Sequence, residues 1–212
     1  MPNSVGFANI AQAIKDVWAS PFAERAWGWR SRILKSSEHV YPSVLLSRAV
    51  PSDKSGVIAT VNLDTGEDDI TVNFSEGVSA VVDGGVAESL LLKPDGTMRL
   101  LEQARGTYRK VLRASGGFEN LPVSGQDTVL MPDEIRQLRE MVAEVKRLYP
   151  PAHSVRGKIL PWDIELGFEK GQLRLFQIRP LARYQDEQSL ESLSQLGGTQ
   201  KPLEKVRLDE SP

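Results

Sequence analysis

The chain has 212 residues, with 26 basic and 28 acidic side chains for a net charge of −2, and no cysteine. That length suits one domain, or one domain with a tail, and is enough to bury a core. The balanced charge gives no bulk attraction to nucleic acid or an anionic membrane. The lack of cysteine excludes disulfides, thiolate metal sites and a cysteine nucleophile. No apolar run reaches membrane-spanning length, and Met1-Pro2-Asn3-Ser4 opens no charged-then-apolar export signal, so a cytoplasmic protein without a membrane partner is expected.

Residues 7 to 34 read as helical, interrupted at Ser20-Pro21, where serine as N-cap and proline at the first helical position start a second helix. Trp18, Phe22, Trp27 and Trp29 fall at helical spacing and are expected to pack in a core rather than to stack on a base. Ser43 to Val50, Val57 to Val61, Ile70 to Phe74 and Val78 to Val82 read as strands, with Gly66 to Asp69 as a turn. Gly77 and Gly84-Gly85 mark places where the backbone turns tightly or comes close to a ligand. Leu90 to Leu101 predicts a hairpin around Lys93-Pro94-Asp95-Gly96. Between Ser115-Gly116-Gly117 and Ser124-Gly125 an irregular linker is expected.

Asp133 to Tyr149 is the clearest helix. Ile135, Leu138, Val142, Val145 and Tyr149 form one apolar stripe, Asp133-Glu134 favour the positive terminus, and Pro150-Pro151 stops it. Its charged side chains read as a solvated face. From Gln185 to Pro212 the composition turns to Ser, Gln, Glu and Gly, which predicts a linker or tail with one short helix around Ser189 to Leu196. The expected organisation is a domain over 1–184 and a tail over 185–212.

Leu160 to Arg179 carries the most information. Trp162, Ile164, Leu166 and Phe168 alternate with Asp163, Glu165, Gly167 and Glu169, as in a half-buried strand, and Leu173 to Arg179 returns. A three-residue loop, Glu169-Lys170-Gly171, would set Glu165 opposite Leu175 with Gln177 as its diagonal neighbour on one face. A two-residue loop would put Glu165 and Gln177 on opposite faces. Two readings stand side by side here. One is a solvated polar stripe. The other is a pair of hard oxygen ligands for magnesium, an ion usually held by one or two protein groups plus phosphates and water, with Arg179 neutralising phosphate charge.

Asp163-Ile164-Glu165, Leu173 and Gln177-Ile178-Arg179-Pro180 resemble the end of the ATP-grasp domain of the phosphoenolpyruvate synthase and pyruvate phosphate dikinase family, which also occurs in rifampicin phosphotransferases and glucan-water dikinases. Other segments follow in the same order. Ala13 to Phe22 with Glu24-Arg25-Ala26 and Arg30 is similar to A-I-x-x-V-W-A-S-x-F-x-x-R-A-x-x-x-R, and Arg48 to Val57 resembles the adenine-side strand and its S-G-V turn. Thr60 to Gly66 resembles T-x-x-P-x-T-G with Leu63 at the proline, and Glu76 to Gly84 resembles the G-L-G-E-x-V-V-x-G loop. Together they span roughly residues 5 to 184.

The resemblance implies an α+β fold, a mostly antiparallel sheet with flanking helices, as in the C-terminal part of an ATP-grasp domain. It implies ATP and Mg2+ as cofactors, Glu165 and Gln177 as magnesium ligands, Arg179 as the catalytic phosphate contact, and nucleotide contacts from Ser47, Arg48, Ala49 and Gly77. The implied activity is phosphoryl transfer from ATP to a histidine on another domain and then to pyruvate. An antibiotic or glucan acceptor, and a degenerate nucleotide-binding or interaction module, are the alternatives. Ser47 and Ala49 replace the glutamine and methionine of Q-R-M-V, and Ser79 replaces the glutamate of G-L-G-E, which favours the degenerate reading. The preceding lobe's lysine and V-R-S-S-A segment and the G-G-x-x-S-H-x-A phosphohistidine motif do not occur. The chain is therefore expected to hold part of an ATP site, inactive alone, with the missing lobe and phosphohistidine domain as its partners, whether as a piece of a longer protein or the product of a split gene.

Overall fold

A computed structural model describes residues 3–33, 40–78, 87–124, 128–154 and 157–181. The chain runs α1 (Phe7–Ala19), a 3-10 turn (Ser20–Phe22), α2 (Glu24–Ile33), β1 (Lys54–Ala59), β2 (Ile70–Glu76), β3 (Glu88–Leu92), β4 (Met98–Glu102), β5 (Tyr108–Leu112) and β6 (Phe118–Pro122). It continues through α3 (Pro132–Leu148), β7 (Ala152–His153), β8 (Ile159–Leu160), β9 (Trp162–Glu169) and β10 (Gln172–Pro180). Six strands form one sheet in the order β10-β9-β1-β2-β3-β4, with every neighbouring pair antiparallel. The expected α+β class, a mostly antiparallel sheet with few helices, is what the chain adopts.

The alternation read along Trp162 to Glu169 decides which face of the sheet is covered. Ile164, Leu166 and Phe168 are fully buried, and in register with them lie Ile58 on β1, Val72 and Phe74 on β2, and Leu90 and Leu92 on β3. Against this face α3 buries Leu138, Val142 and Val145 with Ile135 partly buried beside them, four of the five residues of the stripe expected for it. Each such side chain contributes about 1.5–3 kcal/mol when fully buried. Phe74 and Phe168 meet with ring centroids 5.8 Å apart. Gly56 permits that packing, because a Cβ there would stand 2.4 Å from the Phe74 ring.

Buried carboxylates tie the start of α3 to the sheet. Glu88 is 1% exposed and accepts hydrogen bonds from the Val129 and Leu130 N–H groups, both at 3.0 Å. Glu134, in the first turn, accepts from the Met131 N–H at 2.8 Å and pairs with Lys54 Nζ at 2.6 Å. A carboxylate there satisfies an N–H that the helix start leaves without a partner. Tyr149, extended before Pro150, ends the helix as expected.

Several expectations are corrected. Residues 43 to 50 form no strand. Both edges of β1, the neighbouring strand in the chain, are already taken by β2 and β9, and Leu45 and Leu46 are exposed. The span expected as an irregular linker contains β6, which pairs with β5 through a turn at Gly116 and Gly117 in left-handed backbone. The strand expected at Val57 begins earlier, at Lys54. The second helix starts at Glu24, with Ser20-Pro21 inside the 3-10 turn. Trp18, Phe22 and Trp27 are exposed rather than core, and no residue of α1 is buried. Phe22 and Trp27 instead stack on each other and flank the Arg30 guanidinium at 5.6 and 5.3 Å. The side chain of Trp29, residues 79–86 with Ser79 and Gly84-Gly85, and the tail from 182 lie outside the described residues. Among the described residues no helix is long and apolar enough to cross a membrane.

Candidate functional site

On the face of the sheet away from α3, the β9–β10 hairpin brings its polar residues together. Glu169 pairs with Gln172, so the loop is the two residues Lys170 and Gly171, at φ 51° and 73°. Two successive left-handed residues twist with the flanking strands and close a tight hairpin. Of the two loops weighed from the sequence this is the shorter, and Leu175 faces Leu166 instead of Glu165. By itself a two-residue loop would send Gln177 to the core face. A β-bulge prevents this: Phe176 is inserted without a partner between Leu175 and Gln177, and the pairing resumes with Glu165 opposite Gln177 and Asp163 opposite Arg179. Glu165 and Gln177 therefore share a face as direct cross-strand neighbours.

Both are half-buried, and neither makes a hydrogen bond with any described residue. A carboxylate and an amide oxygen a strand spacing apart, with nothing inside the fold to satisfy them, form a hard-oxygen donor pair. That chemistry suits magnesium. Among the described residues no group of three or more His, Cys, Asp or Glu is placed to hold a metal, so any ion here would take its remaining ligands from water or substrate oxygens.

Arg179 stands beside this pair. Its Nε and Nη2 both donate to Asp163 Oδ2 at 2.7 Å. The Asp163 side chain is 8% exposed and that of Arg179 60%. The buried carboxylate thus holds one edge of the guanidinium against the sheet while the rest faces solvent. Asp163 was quoted in the motif but given no role from sequence. Its place two residues before Glu165 on the same face was legible, but its position opposite Arg179 follows from the bulge.

Gly77, at φ 81°, does come close to something, namely β5. A Cβ there would lie 2.3 Å from the Lys110 carbonyl oxygen, and Gly77 forms a bridge with Lys110. Its N–H donates to the Asp53 carbonyl, and its own carbonyl accepts from Ser55 Oγ. Ser47, Arg48 and Ala49 lie exposed in the irregular stretch before β1, and no hydrogen bond or ion pair joins them to Glu165, Gln177 or Arg179. A cavity of about 360 Å³ lies elsewhere, where the end of α3 meets the start of β9, with Thr60, Lys146, Tyr149, Leu160, Trp162 and Leu181 among its lining.

Residues 1–197 match the family described as the pyruvate phosphate dikinase AMP/ATP-binding domain. The chain belongs to that family. A probable phosphoenolpyruvate synthase of Methanothermobacter thermautotrophicus is 29% identical over 184 residues, covering 84% of this chain and 26% of that protein. The phosphoenolpyruvate synthase of Pyrococcus furiosus is 25% identical over 206 residues, covering 91% and 24%. That of Aquifex aeolicus is 29% identical over 195 residues, covering 84% and 22%. This AMP/ATP-binding domain chain thus spans about a quarter of the length of these relatives.

Proposed function

We propose that this chain contributes a magnesium-dependent part of the ATP site of a phosphotransferase similar to phosphoenolpyruvate synthase. The observation that carries the reading is the opposed Glu165–Gln177 pair, half-buried and unsatisfied within the fold. In this reading those two side chains would hold magnesium, which would supply positive charge to neutralise phosphate oxygens. Arg179, oriented by Asp163, directs its solvent-facing N–H groups at the phosphates and is the catalytic cation. Ser47, Arg48 and Ala49 lie on the adenine side, and Gly77 beside the phosphates.

Phosphoryl transfer proceeds through a loose transition state with charge spread over oxygen, so positioning and charge neutralisation account for most of its catalysis. In the proposed whole, ATP phosphorylates a histidine on another domain, which then passes the group to pyruvate. The preceding lobe and the phosphohistidine domain are the proposed partners. The similarity to phosphoenolpyruvate synthases favours pyruvate over an antibiotic or a glucan as the final acceptor. Calorimetry of ATP against the chain tests the reading. Binding is expected only with magnesium present, at a millimolar Kd, equivalent to about 4 kcal/mol. Equal heats with and without magnesium would refute it.

A further inference from the structure

The face that carries Glu165 and Gln177 continues across the sheet. In register they are followed by Val57 on β1, Asn73 on β2 and Ser89 on β3, giving one row that runs across the strands. All five residues of this row are half-buried. From β9 inward the rows on either side are closed, while on β10 their members Arg174 and Arg179 are exposed. On one side Asp163, Ala59, Thr71 and Leu91 are buried, and Thr71 Oγ1 ties this row to the following loop by donating to the Val61 carbonyl at 2.9 Å. On the other side Gly167, Ser55 and Ser75 are buried, and Ser55 Oγ donates at 2.7 Å to Gly77, the residue that bridges to β5. The middle row is thus the floor of a trough, open along its length between two covered margins.

Three polar side chains on that floor, Gln177, Glu165 and Asn73, make no hydrogen bond with any described residue. Beside Asn73 on the same face, Ser75 is 6% exposed and its hydroxyl has no partner either. The fold leaves the Asn73 amide donors free beside a buried hydroxyl that has no partner, so a ligand lying in the trough can take them up.

We propose that Asn73 is a phosphate-binding residue, and that the polyphosphate of a magnesium-bound nucleotide lies along the trough from Glu165 and Gln177, across Val57, to Asn73. This deepens the reading above and rests on it. Strand spacing puts Asn73 roughly 10 Å from Glu165, two strands away. That is too far to share one ion whose ligands stand at about 2.1 Å, but within reach of a chain of phosphates that the ion carries. The Asn73 amide offers two N–H donors to phosphate oxygen and, being neutral, does not compete with Glu165 for the cation. Val57 between them gives an apolar floor that leaves the phosphate oxygens free to meet the polar groups at both ends.

Nuclear magnetic resonance of the side-chain NH2 groups of Gln177 and Asn73 in the full chain tests this. Magnesium alone should move the Gln177 signal and leave Asn73 unchanged. Magnesium with ATP should move both along one millimolar binding curve. Asn73→Asp should weaken the Mg·ATP affinity at least tenfold, and Asn73→Ala severalfold, with the backbone spectrum of each variant showing an intact fold. If Gln177 responds to Mg·ATP while Asn73 does not, or if neither substitution changes the affinity, the trough assignment is overturned and the Glu165–Gln177 reading stands. If neither side chain responds to Mg·ATP, that reading fails and takes the inference with it.

Discussion

At the scale of single residues, the site is distinguished by what its side chains do not do. Polar groups on a sheet often find a partner within the fold, as Asp163 does in Arg179 and Lys54 does in Glu134. Glu165 and Gln177 do not, although their strands bring them directly opposite each other. A carboxylate engaged with Arg179 is spent on orientation, and one left open has its lone pairs available to a cation. Asp163→Asn should therefore loosen Arg179 without unfolding the chain, since the guanidinium stays largely in solvent. The expected cost is about 1–2 kcal/mol, the difference between a charge-assisted and a neutral hydrogen bond. A urea midpoint measured beside the wild type checks it. The motif D-I-E with Q-x-R was legible because its residue types are unusual on an alternating apolar strand. The pairing of Asp163 with Arg179 was not read, because it depends on the register of two strands.

At the scale of elements, α3 and the β3–β4 hairpin were readable because their signals are local: a five-residue apolar stripe and a Pro-Asp-Gly turn. What escaped the sequence depends on distant chain. The bulge at Phe176 has no glycine to announce it, yet it offsets the two-residue loop and returns Gln177 to the face of Glu165. The span of β6 looked irregular because its pairing with β5 is set by the Gly116-Gly117 turn rather than by strict alternation. The aromatic residues of α1 and α2 were read as core from spacing, but spacing says only that they share a face and not what that face meets.

Two predictions belong here. Lys170 holds left-handed backbone at φ 51°, a region that disfavours side chains, and Asn-Gly suits a turn of this kind better than Lys-Gly. Lys170→Asn should stabilise the hairpin by about 1 kcal/mol, read as an upward shift of the urea midpoint, and it leaves intact the Lys170 N–H donation to Asp53 Oδ2 at 2.6 Å. In the β3–β4 turn, hydrogen bonds from the Thr97 hydroxyl and N–H hold the Asp95 carboxyl below its ordinary value of 3.8. A depressed folded-state value means that the contribution is present above 3.8 and is lost as pH falls through the lower folded value. The Thr97 amide resonance should hold its position through neutral pH and move only in that acid range.

At the scale of the whole molecule, the described residues build a six-stranded sheet with α3 on one face and a trough on the other, beside two short hairpins, in a chain of an AMP/ATP-binding family that spans about a quarter of the named relatives. The proposed transfer to pyruvate runs through a carrier histidine beside the nucleotide. His39 lies outside the described residues, and His153 lies in β7, which pairs only with β8 and is not part of the central sheet. The purified chain should accordingly release no AMP or phosphate from ATP when pyruvate is added, and robust release would show that it carries the complete machinery.

The central claim is that Glu165 serves a ligand and not the fold, and parallel melting and Mg·ATP titration of wild type and Glu165→Gln test it most directly. The amide is nearly isosteric, and Ile164, Leu166 and Phe168 keep the opposite face packed, so the melting temperature should stay the same. The substitution removes the only formal negative charge in the Glu165–Gln177 pair, so the magnesium-dependent binding should disappear. A large fall in melting temperature with an unchanged titration would contradict the account.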